Sequence, residues 1–191
     1  AAVVGGGLAN GVGSTATVTN TSVTIAGGKI DGKVVAGGAA VNGGSSTVKG
    51  NTSLTMTGGE VSSDLIGGNL LEKGGTDGSH IAGSTVNVKG STVNVKGGTV
   101  AGEIYGGSYV RNTAATSKVD NTTVNISGGT IGAKVPQSWA QYVVGGGKAM
   151  SDATITESSV MNTATVNISG GNITRGAVVG GGFARAQGAG G

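Results

Sequence analysis

The sequence predicts an all-β chain folded as a right-handed parallel β-helix, a solenoid of about six coils with roughly 31 residues or more per coil. A ten-residue phrase occurs five times, and a glycine-rich phrase recurs between its copies. Glycine supplies 42 of the 191 residues, whereas proline supplies one. Repeats of a few tens of residues are typical of solenoids, whose units bury their apolar sides only by stacking. The usual hand of parallel crossovers favours the right-handed form.

The ten-residue phrase predicts a strand followed by a corner. In the first copy, Val23 and Ile25 alternate with polar residues, which is the pattern of a strand buried on one side. A Gly-Gly pair then allows a sharp corner, and Ile30 returns an apolar side chain to the interior. The five copies are TSVTIAGGKI (Thr21–Ile30), TSLTMTGGEV (Thr52–Val61), STVNVKGGTV (Ser91–Val100), TTVNISGGTI (Thr122–Ile131) and ATVNISGGNI (Ala164–Ile173).

The glycine-rich phrase predicts a further short strand in every coil. These strands are too short to pair as ordinary hairpins, so we expect each to pair in parallel with the equivalent strand one repeat later. The ten-residue phrases start 31, 39, 31 and 42 residues apart, a spread that loops between coils accommodate. Tyr105 occupies the second apolar position of one copy, so we expect that row to be partly exposed. The copies are VVGGGLA from Val3, VVAGGAA from Val34, LIGGNLL from Leu65, IYGGSYV from Ile104, VVGGGKA from Val143 and VVGGGFA from Val178.

The apolar positions of the ten-residue phrase predict three inward rows of aliphatic or Met side chains. Burying one such side chain is worth roughly 1.5–3 kcal/mol, so together these rows are able to hold the coils together. The rows are Val23, Leu54, Val93, Val124 and Val166; Ile25, Met56, Val95, Ile126 and Ile168; and Ile30, Val61, Val100, Ile131 and Ile173.

Composition argues against several function classes. The net charge is +3, basic residues occur singly and only 3% of residues are aromatic, so a nucleic-acid partner is not expected. Without cysteine there is no thiol nucleophile and no Cys-ligated metal, and we expect no metal and no cofactor. No apolar run approaches the roughly 18 residues of a membrane span, so we expect no membrane insertion by this segment. His80, the sole histidine, lies in a polar loop, and no serine sits in a nucleophile elbow, so we expect no enzyme.

The combination of TVNISGGTI with VVGGG resembles the glycine-rich β-helical repeats of large bacterial surface proteins, including autotransporter passenger domains and related adhesins. The resemblance covers essentially the whole chain. It implies a right-handed β-helix, an extracellular or bacterial cell-surface location, and a role in adhesion, self-association or spacing. The pattern continues to both ends, so we expect residues 1–191 to form a single β-solenoid fragment of a longer protein.

Outward positions of the ten-residue phrase predict two polar rows on one face of the solenoid. These rows either solvate the sheet and bond along the stack, or form a flat surface that binds glycans, another copy of the chain, or ice. An ice-binding face needs regular threonine pairs in every coil, and the change to asparagine in the last three coils argues against it. One row is Ser22, Ser53, Thr92, Thr123 and Thr165, and the other, which supplies our candidate binding residues, is Thr24, Thr55, Asn94, Asn125 and Asn167.

Irregular insertions near 72–90, 132–142 and 150–163 interrupt the repeat. The segment STVNVKG at Ser84–Gly90 is duplicated as Ser91–Gly97, and Gly132–Tyr142 holds the only Trp and the only Pro. Loops on a rigid scaffold often carry binding residues. Trp139 and Tyr142 are therefore candidates either to stack on sugar rings or to fold down over apolar sheet. The sequence leaves both interpretations open.

Charged residues at equivalent offsets predict structural ion pairs between coils. Exposed pairs of this kind contribute about 0–1 kcal/mol, so we expect them to fix register more than to stabilise. Stacking places Lys33 beside Asp64, Glu103 beside Lys134, and Lys29 beside Glu60.

These observations together favour a non-catalytic adhesin segment. We expect a rigid stalk that binds a host glycan, a host protein or another copy of itself through many weak contacts. One alternative is a passive structural spacer of a larger surface protein. The other is a carbohydrate-active β-helix enzyme that depends on Asp64 or Glu103.

Overall fold

A computed structural model of the chain describes residues 2–72, 86–111, 116–132, 141–151, 157–174 and 176–186. Every regular element in these residues is a β-strand. Neighbouring strands pair in parallel throughout the described part of the chain, as in the pairs that Val34 forms with Val3 and with Leu65. The chain is a parallel β-solenoid, which confirms the fold class expected from the repeats.

Most strands are short, but the main strand is long in the three coils where the ten-residue phrase continues directly from the residues before it. In chain order they are β1 (Ala2–Val4), β2 (Leu8–Asn10), β3 (Thr15–Val18), β4 (Thr21–Ile25), β5 (Lys29–Ile30), β6 (Lys33–Val35), β7 (Ala39–Val41), β8 (Ser45–Val48), β9 (Asn51–Met56), β10 (Glu60–Val61), β11 (Leu65–Ile66), β12 (Leu70–Glu72), β13 (Val86–Val95), β14 (Thr99–Val100), β15 (Ile104–Tyr105), β16 (Tyr109–Arg111), β17 (Thr116–Ile131), β18 (Tyr142–Val144), β19 (Lys148–Ser151), β20 (Glu157–Ile173), β21 (Ala177–Val179) and β22 (Phe183–Ala186).

These strands stack into three tall sheets and one short one. The main sheet holds the ten-residue phrases, in strands β4, β9, β13, β17 and β20, with β5, β10 and β14 beyond the corner. The second sheet has the order β1-β6-β11-β15-β18-β21, the third sheet has the order β2-β7-β12-β16-β19-β22, and β3 pairs with β8. The five main strands β4, β9, β13, β17 and β20 are separated by four steps of the stack, so the solenoid has about four complete turns, slightly fewer than the six coils expected.

The register of the main sheet follows the repeat. Leu54 lies opposite Val23 and Val93, and Val124 lies opposite Val93 and Val166. The duplicated STVNVKG segment lengthens the main strand in line, because β13 continues from its first copy into its second. Much of the sequence in the three expected insertions, residues 73–85, 133–140 and 152–156, lies outside the described residues.

The corner of the ten-residue phrase depends on a positive φ. The second glycine of each Gly-Gly pair has a φ between 82° and 92°, a backbone conformation that residues with a Cβ rarely adopt. The corner predicted from these pairs is therefore confirmed. The five glycines are Gly28, Gly59, Gly98, Gly129 and Gly171.

The predicted inward rows form the axial core, the cluster of apolar side chains that the coils enclose. Leu54, Val93 and Val124 are fully buried there. Ile168 is 46% exposed because it lies in β20, the last strand of the main stack, which no further described strand covers. The side chain of Val95 lies outside the described residues. The remaining members are buried or partly buried against this core: Val23, Ile25, Met56, Ile126, Val166, Ile30, Val61, Val100, Ile131 and Ile173.

The second sheet is apolar on both sides, so the expectation that the Tyr105 row is partly exposed was wrong. The first residue of each Val-Val pair, such as Val34, packs into the axial core, whereas the second, such as Val35, packs into a second core. This second core lies between the second and third sheets. Tyr105 is fully buried in it because the chain folds back after the Gly-Gly pair. Its other buried members are Ala39, Ile66, Leu70, Tyr109 and Val144.

A glycine row joins the second sheet to the third sheet and explains part of the high glycine content. At this corner the backbones of successive coils hydrogen-bond directly, with Gly68 N–H donating to Gly107 O and Gly107 N–H donating to Gly146 O, each at 2.9 Å. A Cβ on Gly68 would lie 2.8 Å from the carbonyl carbon of Gly107. Side chains would therefore hold the coils apart at this corner. The row consists of Gly6, Gly37, Gly68, Gly107, Gly146 and Gly181.

Candidate functional site

Three asparagines on the outer side of the main sheet form a continuous side-chain ladder. Asn125 Nδ2 donates to Asn94 Oδ1 at 2.8 Å, and Asn167 Nδ2 donates to Asn125 Oδ1 at 2.9 Å. The ladder arises because the strands carry asparagine at the same register position. Each amide bonds to its neighbour in the next coil, so the outer groups are held in fixed orientations.

Two threonines extend this row toward the first coils. Thr24 lies opposite Thr55, and Thr55 lies opposite Asn94. Adjacent strands of a sheet are about 4.8 Å apart, so the five residues span about 19 Å. Thr24 and Asn167 are exposed, and the three residues between them are half-buried.

The polar face is the surface that these five candidates share with the neighbouring outward row. In that row Ser22 lies opposite Ser53, and Thr123 lies opposite Thr165. The side chain of Thr92 lies outside the described residues. The structure thus brings all five candidates from the main strand into one surface, as the sequence predicted.

The two aromatic candidates are not part of this face. Tyr142 is half-buried and stacks on Phe183, with ring centroids 4.6 Å apart and an interplanar angle of 30°. It packs against the second core, which matches the interpretation in which this residue covers apolar sheet. Trp139 lies outside the described residues.

A buried charged group, which sequence reasoning did not find, lies between the second and third sheets. We call it the Glu103–Lys148 cluster, and it consists of Glu103, Tyr105 and Lys148. Lys148 Nζ lies 2.5 Å from Glu103 Oε2 and 3.1 Å from Tyr105 Oη, and the Tyr105 hydroxyl also donates to Glu103 Oε2. Glu103 and Lys148 are each 8% exposed.

Aromatic rings enclose this cluster. Tyr109 stacks on Tyr105 with centroids 5.6 Å apart. Lys148 Nζ lies 5.4 Å from the Tyr105 centroid and 5.5 Å from the Phe183 centroid, within the range of cation–π attraction. The ammonium group is therefore surrounded by rings and one carboxylate, with little access to water.

Burial changes the acidity of the carboxyl groups here. Loss of hydration raises the pKa of Glu103, although its contacts with Lys148 oppose the rise. Loss of hydration also raises the pKa of Asp64, although the Glu103 N–H donates to Asp64 Oδ1 at 2.9 Å. Burial likewise raises the pKa of Tyr109. Both carboxyl groups therefore hold a proton to higher pH than exposed ones.

The ion pairs differ from those expected from the offsets. Asp64 lies beside Lys33 in the next coil, as expected, and the Lys33 charge acts on it. The salt bridge of Lys33 is nevertheless with Glu72, at 3.0 Å between Nζ and Oε1, because the lysine side chain reaches across to the third sheet. The expected partner of Glu103, Lys134, lies outside the described residues. The third pair has the expected partners, since Lys29 Nζ lies 3.1 Å from Glu60 Oε1 at an exposed site.

The sequence does contain a signal for the buried lysine. The first residue of each third-sheet strand follows the glycine-rich turn that leads from the second sheet. This residue occupies the same register position in every coil. Lys148 is the only charged residue at this position, so a buried charge with a nearby partner was predictable. The equivalent residues are Leu8, Ala39, Leu70, Tyr109 and Phe183.

No family model, curated protein or solved structure matches the chain. Within the described ranges there is no helix with the length and apolar character needed to cross a membrane. The same ranges contain no group of three or more His, Cys, Asp or Glu residues placed to hold a metal ion. The two features that invite a functional interpretation are therefore the polar face and the Glu103–Lys148 cluster.

Proposed function

We propose that this chain is a non-catalytic segment of a secreted or cell-surface bacterial adhesin. It acts as a rigid β-solenoid stalk whose polar face binds a host glycan, a host protein or another copy of the chain. The observation that carries this proposal is the in-register row from Thr24 to Asn167. The resemblance of the repeats to those of bacterial surface proteins supports the location outside the cell.

The chemistry of the polar face suits a hydroxyl-rich or amide-rich partner. Threonine hydroxyls and asparagine amides both donate and accept hydrogen bonds, as sugar hydroxyls do. The ladder bonds of Asn125 already fix the orientation of its amide, so little side-chain entropy is lost when a partner binds. Repetition over successive coils then adds weak contacts into a useful affinity.

A pair of matched variants tests the proposal. Asn125→Lys removes two amide–amide hydrogen bonds from the polar face and adds one positive charge. Asn10→Lys makes the same kind of change on the third sheet, where Asn42 Nδ2 donates to Asn10 Oδ1 at 2.9 Å. The wild type and both variants are compared on a glycan array and by sedimentation velocity at rising concentration.

We expect the wild type and Asn10→Lys to bind or self-associate alike, and Asn125→Lys to lose that binding. Equal binding by the two variants would place the binding surface elsewhere. Trp139→Ala tests the contribution of the other aromatic candidate, and Tyr142→Ala tests whether a residue that packs against the second core also affects binding. A wild type that binds no glycan and stays monomeric would support the passive spacer instead.

A further inference from the structure

We propose that the folded chain joins Lys148 to Glu103 through an intramolecular amide bond between their side chains. The proposal does not rest on the adhesin function, and its test is independent of any binding partner. It starts from the contact of 2.5 Å between Lys148 Nζ and Glu103 Oε2. An amine held against a carboxyl group in this way has lost most of the entropy that opposes their reaction.

The surroundings favour the neutral pair that such a reaction needs. Glu103 and Lys148 are each 8% exposed, and the rings of Tyr105, Tyr109 and Phe183 lie around the ammonium group. Burying a charged pair carries a desolvation cost that the attraction between the two charges offsets only in part, so such a site favours a neutral pair more than water does. Burial raises the pKa of Glu103, and the nearby Asp64 charge adds to the rise, which also favours the protonated acid.

Tyr105 is placed to act as the proton relay. Its hydroxyl donates to Glu103 Oε2 and accepts from Lys148 Nζ at 3.1 Å. A hydroxyl bonded to both partners can polarise the carboxyl group and pass a proton between nitrogen and oxygen. The backbone N–H groups of this region also hold the acids in place, since the Tyr142 N–H bonds to the Glu103 carboxylate.

The bond changes balance without any further reactant. The neutral amine of Lys148 attacks the carboxyl carbon of protonated Glu103, and a C–N bond forms. One C–O bond then breaks, and the hydroxyl group leaves with a proton from the nitrogen as one water molecule. No electron is gained or lost, and the product is an ordinary amide between β19 and the residue that precedes β15.

A second lysine–glutamate pair in the same chain is a natural control. Lys33 Nζ lies 3.0 Å from Glu72 Oε1, and the two side chains are each 24% exposed. The Glu103 and Lys148 side chains are each 10% exposed by the same measure, so the Lys33–Glu72 pair has more contact with water, which lowers the cost of keeping both groups charged. We expect Lys33 to keep a free amine.

Mass spectrometry of the full chain tests the proposal. We expect the intact mass to fall short of the sequence mass by one water molecule. A tryptic digest should then show the peptide 97–111 attached through Glu103 to the peptide 135–175, with no cleavage after Lys148. Trypsin should cleave normally after Lys33. Lys148→Arg keeps the positive charge and should have the full sequence mass, whereas Tyr105→Phe keeps the ring and should form the bond more slowly.

Two results would overturn the proposal. One is a wild-type chain with the full sequence mass and normal cleavage after Lys148. The other is a missing water that maps to the Asp77–Gly78 dipeptide, where cyclisation of the aspartate loses water without a cross-link. Both readouts are made on the wild-type chain, so they do not depend on whether a variant folds.

Discussion

Adding one methyl group to the glycine row should destabilise the solenoid, and Gly107→Ala is the sharpest version of that change. A Cβ on Gly107 would lie 2.8 Å from Gly147 N and 3.0 Å from the carbonyl carbon of Gly146. Ordinary contacts of a Cβ begin at 3.4 Å, so the two coils would have to separate locally by about 0.6 Å. The neighbouring atoms belong to backbone that is hydrogen-bonded at 2.9 Å and cannot move aside as a side chain could.

The size of the effect follows from two opposing contributions. Overpacking of this kind costs about 1–3 kcal/mol, and a rigid backbone neighbour favours the upper part of that range. Loss of a glycine also reduces the entropy of the unfolded chain, which returns about 0.4–1 kcal/mol. We therefore expect Gly107→Ala to lower the free energy of unfolding by about 1–2 kcal/mol, close to a tenfold change in the equilibrium constant.

Gly181→Ala is the matched control for this prediction. Gly181 occupies the same row, lacks a positive φ and has no atom within 4 Å of the position that a Cβ would take. Guanidinium unfolding followed by far-UV circular dichroism should place Gly181→Ala at or slightly above the wild type. If Gly107→Ala unfolds at the same denaturant concentration as Gly181→Ala, close backbone stacking is not what requires glycine in this row.

Three further changes probe the axial core, the buried acids and the junction between sheets. Leu54→Ala empties a fully buried site and should cost about 2–5 kcal/mol in thermal unfolding, whereas Leu8→Ala, at a residue 62% exposed, should cost less than about 0.5 kcal/mol. Because burial raises the pKa of Asp64 above its ordinary value of 3.8, the wild type should lose stability as the pH rises through that raised pKa. The raised pKa of Glu103 contributes a loss of the same sign, so Asp64→Asn should reduce the loss without removing it in denaturant titrations over a pH series. A variant whose loss equals that of the wild type would contradict the reasoning. Thr122→Val removes the 2.6 Å bond to Gly145 O and should cost about 1–3 kcal/mol, measured by the same unfolding titration; an unchanged midpoint would show that the bond contributes nothing.

The axial core and the polar face were predictable because alternation reports on two sides of one strand. In Thr122–Ile131, Val124 and Ile126 alternate with Thr123 and Asn125, and each pair lies on the expected side. Similar residues at equivalent positions within each phrase then fixed the register despite the unequal spacing between phrases, as where Val93 and Asn94 lie opposite Val124 and Asn125.

The second core was not predictable from alternation. A Val-Val pair such as Val34 and Val35 is apolar on both sides of the strand, and the pattern does not say what covers the second side. The fold-back after Gly-Gly supplies that cover, and it also decides the partner of Glu103. Lys148 is 45 residues away in a different sheet, so counting along the repeat pointed to Lys134 instead. Counting along the repeat also does not detect a long side chain that crosses between sheets, as the Lys33 side chain does to reach Glu72.

The seam of glycines has a consequence for how such a protein can change in length. Backbone without side chains offers the same N–H and C=O groups in every repeat, so any coil is able to stack on any other coil at that corner. Gain or loss of entire units by recombination would leave the seam intact, whereas a shift of one residue inside a unit would bring a side chain into it. Evolution can therefore add or remove whole repeat units of the solenoid without changing the backbone contacts between coils at this corner.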